Sequence, residues 1–266
     1  MNKDIRNEGV WEEINIKRDS MKCPDFTKIM MESSDQQKKL TQPPLSVAAK
    51  GELITLDADF SAVITEDQYS NLLDIRRSLR VYDRDTPMTQ SQLAFLLWST
   101  QGVQRIRGRN YCTLRPAPSG GARHPFETYI VARNVEGLKP GIYHYLPLEN
   151  VGEKKVALEY VSDFDDYDNR MSAMLAEQKW ACDAPAIIFY SCVAYRAEWR
   201  YSHMAHRVVL IDLGHVGQNF MLSATAMGMG SCLMAAFNQD LCDEALGLDS
   251  YEEYTVYACA VGKSGK

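Results

Sequence analysis

The stretch RVVLIDLGHVGQNFMLSATAMGM, residues 207–229, is apolar on almost every side. It predicts a long helix that the rest of the fold must enclose all round. A bilayer could be crossed by about 20 such residues. Asp212, His215, Gln218 and Asn219 sit in the middle, however, and polar groups there are costly in lipid. The remaining reading is a helix central to a protein. Gly214, Gly217, Ala224 and Ala226 would let other backbones approach closely, which suits the middle of a two-layer domain or a subunit interface.

Strands and helices flank it without strict β-α-β alternation. Upstream, APAIIFYSCVAY (184–195) reads as a fully buried strand and residues 168–182 as a helix. Three strand-like runs, 126–134, 141–147 and 155–162, are separated by EGLKPG and ENVGEK turns, so hairpin-joined antiparallel strands are expected. Thr89 and Gln92 have capping-box spacing ahead of LAFLLWSTQ and Gly102, which predicts a second helix. Another is expected from Thr65, with Leu72, Leu73 and Ile75 at helical spacing and acidic residues in its opening turn. Downstream, YTVYACAVG (254–262) is a final strand. The sum is an α+β domain, a largely antiparallel sheet packed by helices around one central helix. Residues 1–60 are mixed in charge and interrupted by Pro43-Pro44, and read as an arm; residues 61–266 form the domain.

The chain has 266 residues and a net charge of −6, which opposes binding to bulk nucleic acid or anionic lipid. Seven cysteines without a C-x-x-C pair suit a reduced, cytoplasmic protein with no metal site built on them. The N-terminus lacks the apolar core of a signal peptide. His203 and His206 form an H-x-x-H near Asp212 and His215, but without a recognised ligand spacing, so no metal is expected. Arg105, Arg107 and Arg109 lie in the long polar stretch 103–121; one basic loop without an aromatic platform does not make an RNA site.

Four clusters could carry chemistry. Arg76-Arg77-Ser78-Leu79-Arg80 closes the first helix, with Arg76 and Arg80 at i, i+4 and a hydroxyl between them. Forked guanidinium donors around a hydroxyl suit a phosphate monoester, although cations also simply cap helix C-termini. Pro118-Ser119-Gly120-Gly121 precedes a strand, and consecutive glycines let backbone approach a flat ligand. Gly228-Met229-Gly230-Ser231 ends the central helix ahead of the small apolar run Leu233 to Phe237, and Gly262-Lys263 follows the last strand.

The order R-R-S-x-R, L-L-W-x-x-Q-G (96–102), P-S-G-G-A-R-H-P (118–125), G-I-Y-H-Y (141–145), D-x-G-H-x-x-Q-N (212–219), G-M-G-S (228–231) and V-G-K (261–263) resembles the SagB/ThcOx-type branch of the nitroreductase superfamily over about residues 70–263. The resemblance implies an FMN-binding fold that is normally a homodimer, with flavin held in a cleft to which both subunits contribute. Carried over, Arg76, Ser78 and Arg80 would hold the flavin phosphate, with Arg77 and Lys263 as weaker candidates. Pro118, Ser119, Gly120 and Gly121 would line the isoalloxazine ring, Met234, Ala235 and Ala236 would cover it, and Gln101 would donate at its edge. The implied function is an FMN-dependent oxidoreductase moving a hydride between flavin N5 and a small organic or peptidic substrate, with NAD(P)H or oxygen in the second half-reaction. A non-catalytic scaffold or peptide-binding partner of a modifying complex is the alternative.

One position departs from the branch. Members that oxidise thiazoline or oxazoline rings carry a Lys-Tyr pair between the buried strand and the central helix, where this chain has Arg200-Tyr201. Arginine stays protonated and cannot be the base that takes a proton. It could instead lower the pKa of Tyr201, hold an anionic substrate, or merely stack beside Tyr201 and Trp199. Arg200 and Tyr201 are therefore the catalytic candidates.

Overall fold

The computed structural model describes residues 34–56, 60–109 and 111–265; residues 1–33 and 57–59 of the arm expected over 1–60, and the His203 side chain, lie outside them. In chain order the elements are β1 (Leu53–Leu56), α1 (Phe60–Val63), α2 (Tyr69–Ile75), α3 (Gln90–Gln101), β2 (Arg105–Arg107), β3 (Cys112–Leu114), β4 (Phe126–Ala132), β5 (Gly141–Tyr145), β6 (Val156–Ser162), α4 (Tyr167–Met174), β7 (Ala186–Val193), α5 (Tyr195–Tyr201), α6 (Ala205–Ala226), β8 (Gly230–Met234), α7 (Gln239–Leu246) and β9 (Glu253–Gly262).

Seven strands form one sheet in the order β1-β6-β5-β4-β7-β9-β8. Every pairing in it is antiparallel, as the hairpin-like turns predict. Residue alternation sends successive side chains to opposite faces. Ile188 and Tyr190 of β7 join Leu97 of α3 and Phe220 of α6, while Ile187 and Phe189 join Met171 of α4 and Leu246 of α7. Both faces of β7 are buried, which is why it reads as one unbroken apolar run. The Thr89 capping box forms as expected, Thr89 Oγ1 accepting from Gln92 N at 3.2 Å and Gln92 Oε1 from Thr89 N at 3.0 Å.

Four expectations change. The first helix starts at Tyr69, because the Thr65 and Glu66 amides donate to Ala226 O at the end of α6 instead of starting a turn. It stops at Ile75, so the arginine cluster is not helical. The helix expected over 168–182 breaks after Met174, where Ala176 and Glu177 take positive φ (51° and 62°), and resumes as a 3₁₀ turn over Lys179–Asp183. The 103–121 stretch contains the β2–β3 hairpin. Finally, α6 is not enclosed: Leu210 is 66% and Ile211 46% exposed, and a Cβ on Gly214 would meet nothing within 4 Å. Its other side packs on the sheet and α3, which together cover only part of a helix circumference.

Candidate functional site

Extended chain, not helix, presents the arginine cluster. Ser78 bridges Ser231 in parallel fashion and the Leu79 amide donates to Ser231 O at 3.0 Å. Five residues on, the Asp83 amide donates to Lys263 O at 2.9 Å and Tyr82 bridges Ser264. Three segments far apart in sequence, 76–83, 230–231 and 262–265, thus lie side by side. Gly230 is required here, since a Cβ would sit 2.0 Å from Leu79 Cδ2. The Tyr82 hydroxyl fastens the segment by donating to Leu79 O at 2.8 Å, and burial, the largest cause, pushes its pKa well up.

Alternation along extended backbone sets Arg76, Ser78 and Arg80 on one side and Arg77 and Leu79 on the other. Arg77 turns back and donates to Asp74 O (2.6 Å) and Arg76 O (2.8 Å), capping α2. Arg76 reaches only Met221 Sδ, at 4.0 Å, and the Arg80 guanidinium lies 5.8 Å from the Trp180 ring centre. Among the described residues neither forms an ion pair with a carboxylate, and Lys263 is likewise exposed without one.

The second cluster is tied to α6. Asp212, 4% exposed, accepts from the Ser119 hydroxyl at 2.7 Å and from the Gly120 amide at 3.0 Å to each oxygen. Burial raises its pKa, and these donors oppose the shift. Ser119 Oγ in turn accepts the His124 amide at 3.0 Å. Both glycines are demanded by the protein itself: a Cβ at Gly120 would lie 2.4 Å from Val208 Cγ1, and one at Gly121, whose φ is 56°, would lie 2.6 Å from Arg200 Nε and 2.8 Å from the Tyr201 hydroxyl. Pro118 is exposed beside them.

Gln101 ends α3, buried at 1% exposure. Its Oε1 accepts from Arg115 Nη1 at 2.6 Å, while its Nε2 has no partner among the described residues. Arg115 is itself enclosed, donating also to Thr113 Oγ1 and Leu45 O, and burial pushes its pKa down to about 10. Asn219 of α6 holds the same end of α3 through Ser99 O at 3.0 Å. Met234 is buried in the second core, whereas Ala235 and Ala236 are exposed, the Ala236 carbonyl accepting from Gln178 Nε2 at 2.8 Å.

Arg200 and Tyr201, at the end of α5, press on Gly121 and meet a residue that the sequence reading missed. Tyr111, on the hairpin, accepts at its hydroxyl from Arg200 Nη1 and from Gln36 Nε2, the latter at 2.7 Å. Arg123 lies 4.8 Å over the Tyr111 ring and 5.4 Å from Trp199. Residues 34–42 strap this corner, the Gln36 amide donating to Trp199 O at 2.9 Å and Trp199 Nε1 to Leu40 O at 3.1 Å. The hairpin has a sequence signal, the alternating RIR and CTL runs around Gly108-Arg109-Asn110; the Tyr111–Arg200 contact has none. His206 bonds Glu198 at 2.9 Å, and among the described residues no three His, Cys, Asp or Glu side chains are grouped to hold a metal ion. None of the described helices is long and apolar enough to cross a membrane.

The sequence model of the nitroreductase family matches residues 73–263. MJ1384 of Methanocaldococcus jannaschii, provisionally named a nitroreductase, is 28% identical over 75% of this chain and 93% of its own length. The trifolitoxin-processing protein TfxB of Rhizobium leguminosarum bv. trifolii is 30% identical over 55% of this chain, but the match spans only 39% of that relative. Among solved structures, a provisionally named nitroreductase of Anabaena variabilis superposes with a TM-score of 0.58 at 25% identity, over 73% of this chain and 38% of that one. One of Exiguobacterium sibiricum, crystallised with FMN, superposes with a TM-score of 0.53 at 14% identity, over 76% of this chain and 90% of that one, a likeness of fold alone.

Proposed function

The chain belongs to the nitroreductase family, and from that premise we propose that it is an FMN-dependent oxidoreductase of the SagB/ThcOx type, acting on a small organic or peptidic substrate as a homodimer. The observation that carries this reading is the convergence of Arg76, Ser78 and Arg80 with Ser231 and Lys263 through the backbone bonds of residues 78–83. Guanidinium groups that are half-buried (Arg76) or exposed (Arg80) and have no carboxylate partner among the described residues are a donor set for a phosphate monoester. A second feature fits the flavin ring: Gln101 Nε2 is a buried donor without an acceptor, and leaving such a donor unmet costs about 1–3 kcal/mol.

Bound FMN would supply hydride transfer at its N5 position. Arg76, Ser78 and Arg80 would hold the phosphate and Lys263 would add charge. Arg115 engages the Gln101 amide through its oxygen, so Nε2 is the donor that would be left for the ring edge, where negative charge gathers on reduction. Ser119 has one hydroxyl proton, and Asp212 takes it; the turn therefore offers a ring its shape more than its donors. Arg200 stays a cation, and Tyr201 sets beside Gly121 a hydroxyl that has no hydrogen bond among the described residues. Support for the homodimer comes from the exposed Leu210 and Ile211 on α6 and the exposed Tyr69, Leu73 and Ile75 on α2, a helix that packs on α6. Exposed apolar side chains on neighbouring helices are what a second copy would cover.

The test is the visible spectrum of the purified chain, followed by anaerobic NADPH and then NADH. Yellow protein is expected. Bleaching assigns a nicotinamide-dependent reductase, and persistence of colour assigns a dehydrogenase of the substrate. Colourless protein that FMN does not reconstitute would overturn the reading in favour of a scaffold.

A further inference from the structure

Beside the Gly120-Gly121 turn lies a group of side chains that the flavin assignment leaves unused. The Tyr111 hydroxyl accepts two hydrogen bonds, from Gln36 Nε2 and Arg200 Nη1. Those occupy both its lone pairs, so its own proton is left to donate. Arg200 has no other hydrogen bond among the described residues, and neither has the Tyr201 hydroxyl, which faces Gly121. Arg200 and the two phenol hydroxyls thus leave N–H and O–H donors available in this corner.

The nearby acids are engaged elsewhere. Asp35 accepts from the Tyr195 hydroxyl at 2.9 Å and pairs with Lys38 at 3.6 Å, and Glu198 pairs with His206. A second guanidinium, Arg123, sits under the Tyr111 ring, but its hydrogen bonds go to Gly121 O and Tyr111 O. Buried and held by these two bonds, it adds positive field to the corner. One guanidinium, which keeps N–H donors beyond the one it gives to Tyr111, together with two phenol donors matches a singly charged, planar acceptor better than a dianion.

We propose that Arg200, Tyr111 and Tyr201 form a carboxylate-binding site and that the substrate of this enzyme carries a free carboxylate, held next to the turn. The proposal deepens the oxidoreductase reading and rests on it for the word substrate; the binding itself needs no flavin. Tyr111 reaches the site only because residues 34–42 strap the hairpin against α5, so the segment before the family-matched region helps to build it.

The experiment is equilibrium titration of the full chain, followed by tryptophan fluorescence, since Trp199 lies 6.5 Å from the Tyr111 ring. The probes are hippurate, its neutral amide hippuramide, phenyl phosphate, and a pentapeptide ending in free glycine. Saturable hippurate binding is expected, at least tenfold tighter than hippuramide and tighter than phenyl phosphate. Arg200→Gln should weaken it tenfold or more, Arg200→Lys less, and Tyr111→Phe, a mild change at a partly exposed ring, about threefold. Pentapeptide binding equal to hippurate assigns a peptide C-terminus, and weaker binding assigns a small acid. Equal affinity for hippuramide, phenyl phosphate that binds tighter and is weakened by Arg200→Gln, or indifference of hippurate to both Arg200→Gln and Tyr111→Phe would overturn the site. Flavin content, measured on the same samples, separates the two readings: hippurate bound by flavin-free protein leaves the site standing and removes only the FMN assignment.

Discussion

The turn at 118–124 and the arginine segment at 76–80 are both built from sequence motifs that suit a ligand, yet they are finished to different degrees. In the turn, Asp212 absorbs the Ser119 hydroxyl and the Gly120 amide, Ser119 absorbs the His124 amide, and the two glycines are filled by Val208, Arg200 and Tyr201. In the arginine segment the backbone is fastened to Ser231 and Lys263 while the Arg76 and Arg80 guanidinium groups remain without a carboxylate. A satisfied polar network contributes shape and stability; an unsatisfied, exposed one contributes affinity. Substitutions should therefore separate the two, one region losing ligand and the other losing fold.

The largest effect is expected from Arg76→Ala with Arg80→Ala. Charge-assisted hydrogen bonds are worth about 1.5–3 kcal/mol each, so FMN affinity should fall about a hundredfold or more, with little change in the melting temperature. Flavin retained through gel filtration, beside a calorimetric titration, measures it. A wild-type flavin content in this variant would erase the contrast.

Asp212→Ala should act in the opposite sense. It strands a hydroxyl and an amide that are part-buried, at a cost of about 3 kcal/mol, which is a fall of about 6–12 °C in Tm for a chain of this size. An unchanged melting curve would show that the turn is not held by α6. Asp212→Asn keeps an acceptor and should lose less.

His124 sharpens the comparison by pH. Burial first, then the nearby Arg115 charge, push its pKa from the ordinary 6.5 to about 2. The unfolded chain therefore takes up the proton first, and stability present above pH 6.5 drains as pH falls below it. Between pH 7 and pH 5 the loss from this group is about 2 kcal/mol. Thermal melts at the two values, compared with those of His124→Gln, test it; the variant should show the smaller drop.

Much of the fold was legible because it follows from local pattern. Thr89 and Gln92 announced α3, the unbroken apolar run announced β7, and the turn-separated runs announced β4, β5 and β6. Helix limits were less legible. The Thr65 and Glu66 amides prefer the carbonyl of Ala226 to a turn of their own, and no local signal carries that choice. Asp212 was legible as a reason against a membrane helix and as part of a motif but not as the partner of Ser119 and Gly120, although an acid inside an apolar helix needs partners, and that need pointed to an anchor.

What the sequence determined by itself is the set of motifs, their order and the alternation that makes the sheet, because these depend on side-chain chemistry and spacing along one chain. Tertiary structure alone decided which motifs meet. It laid residues 78–83 along Ser231 and Lys263, turned Arg77 away from Arg76 and Arg80, and brought Tyr111 to Arg200 across 89 positions. Such contacts form between surfaces that exist only after the sheet and α6 have packed, so no window of sequence contains them.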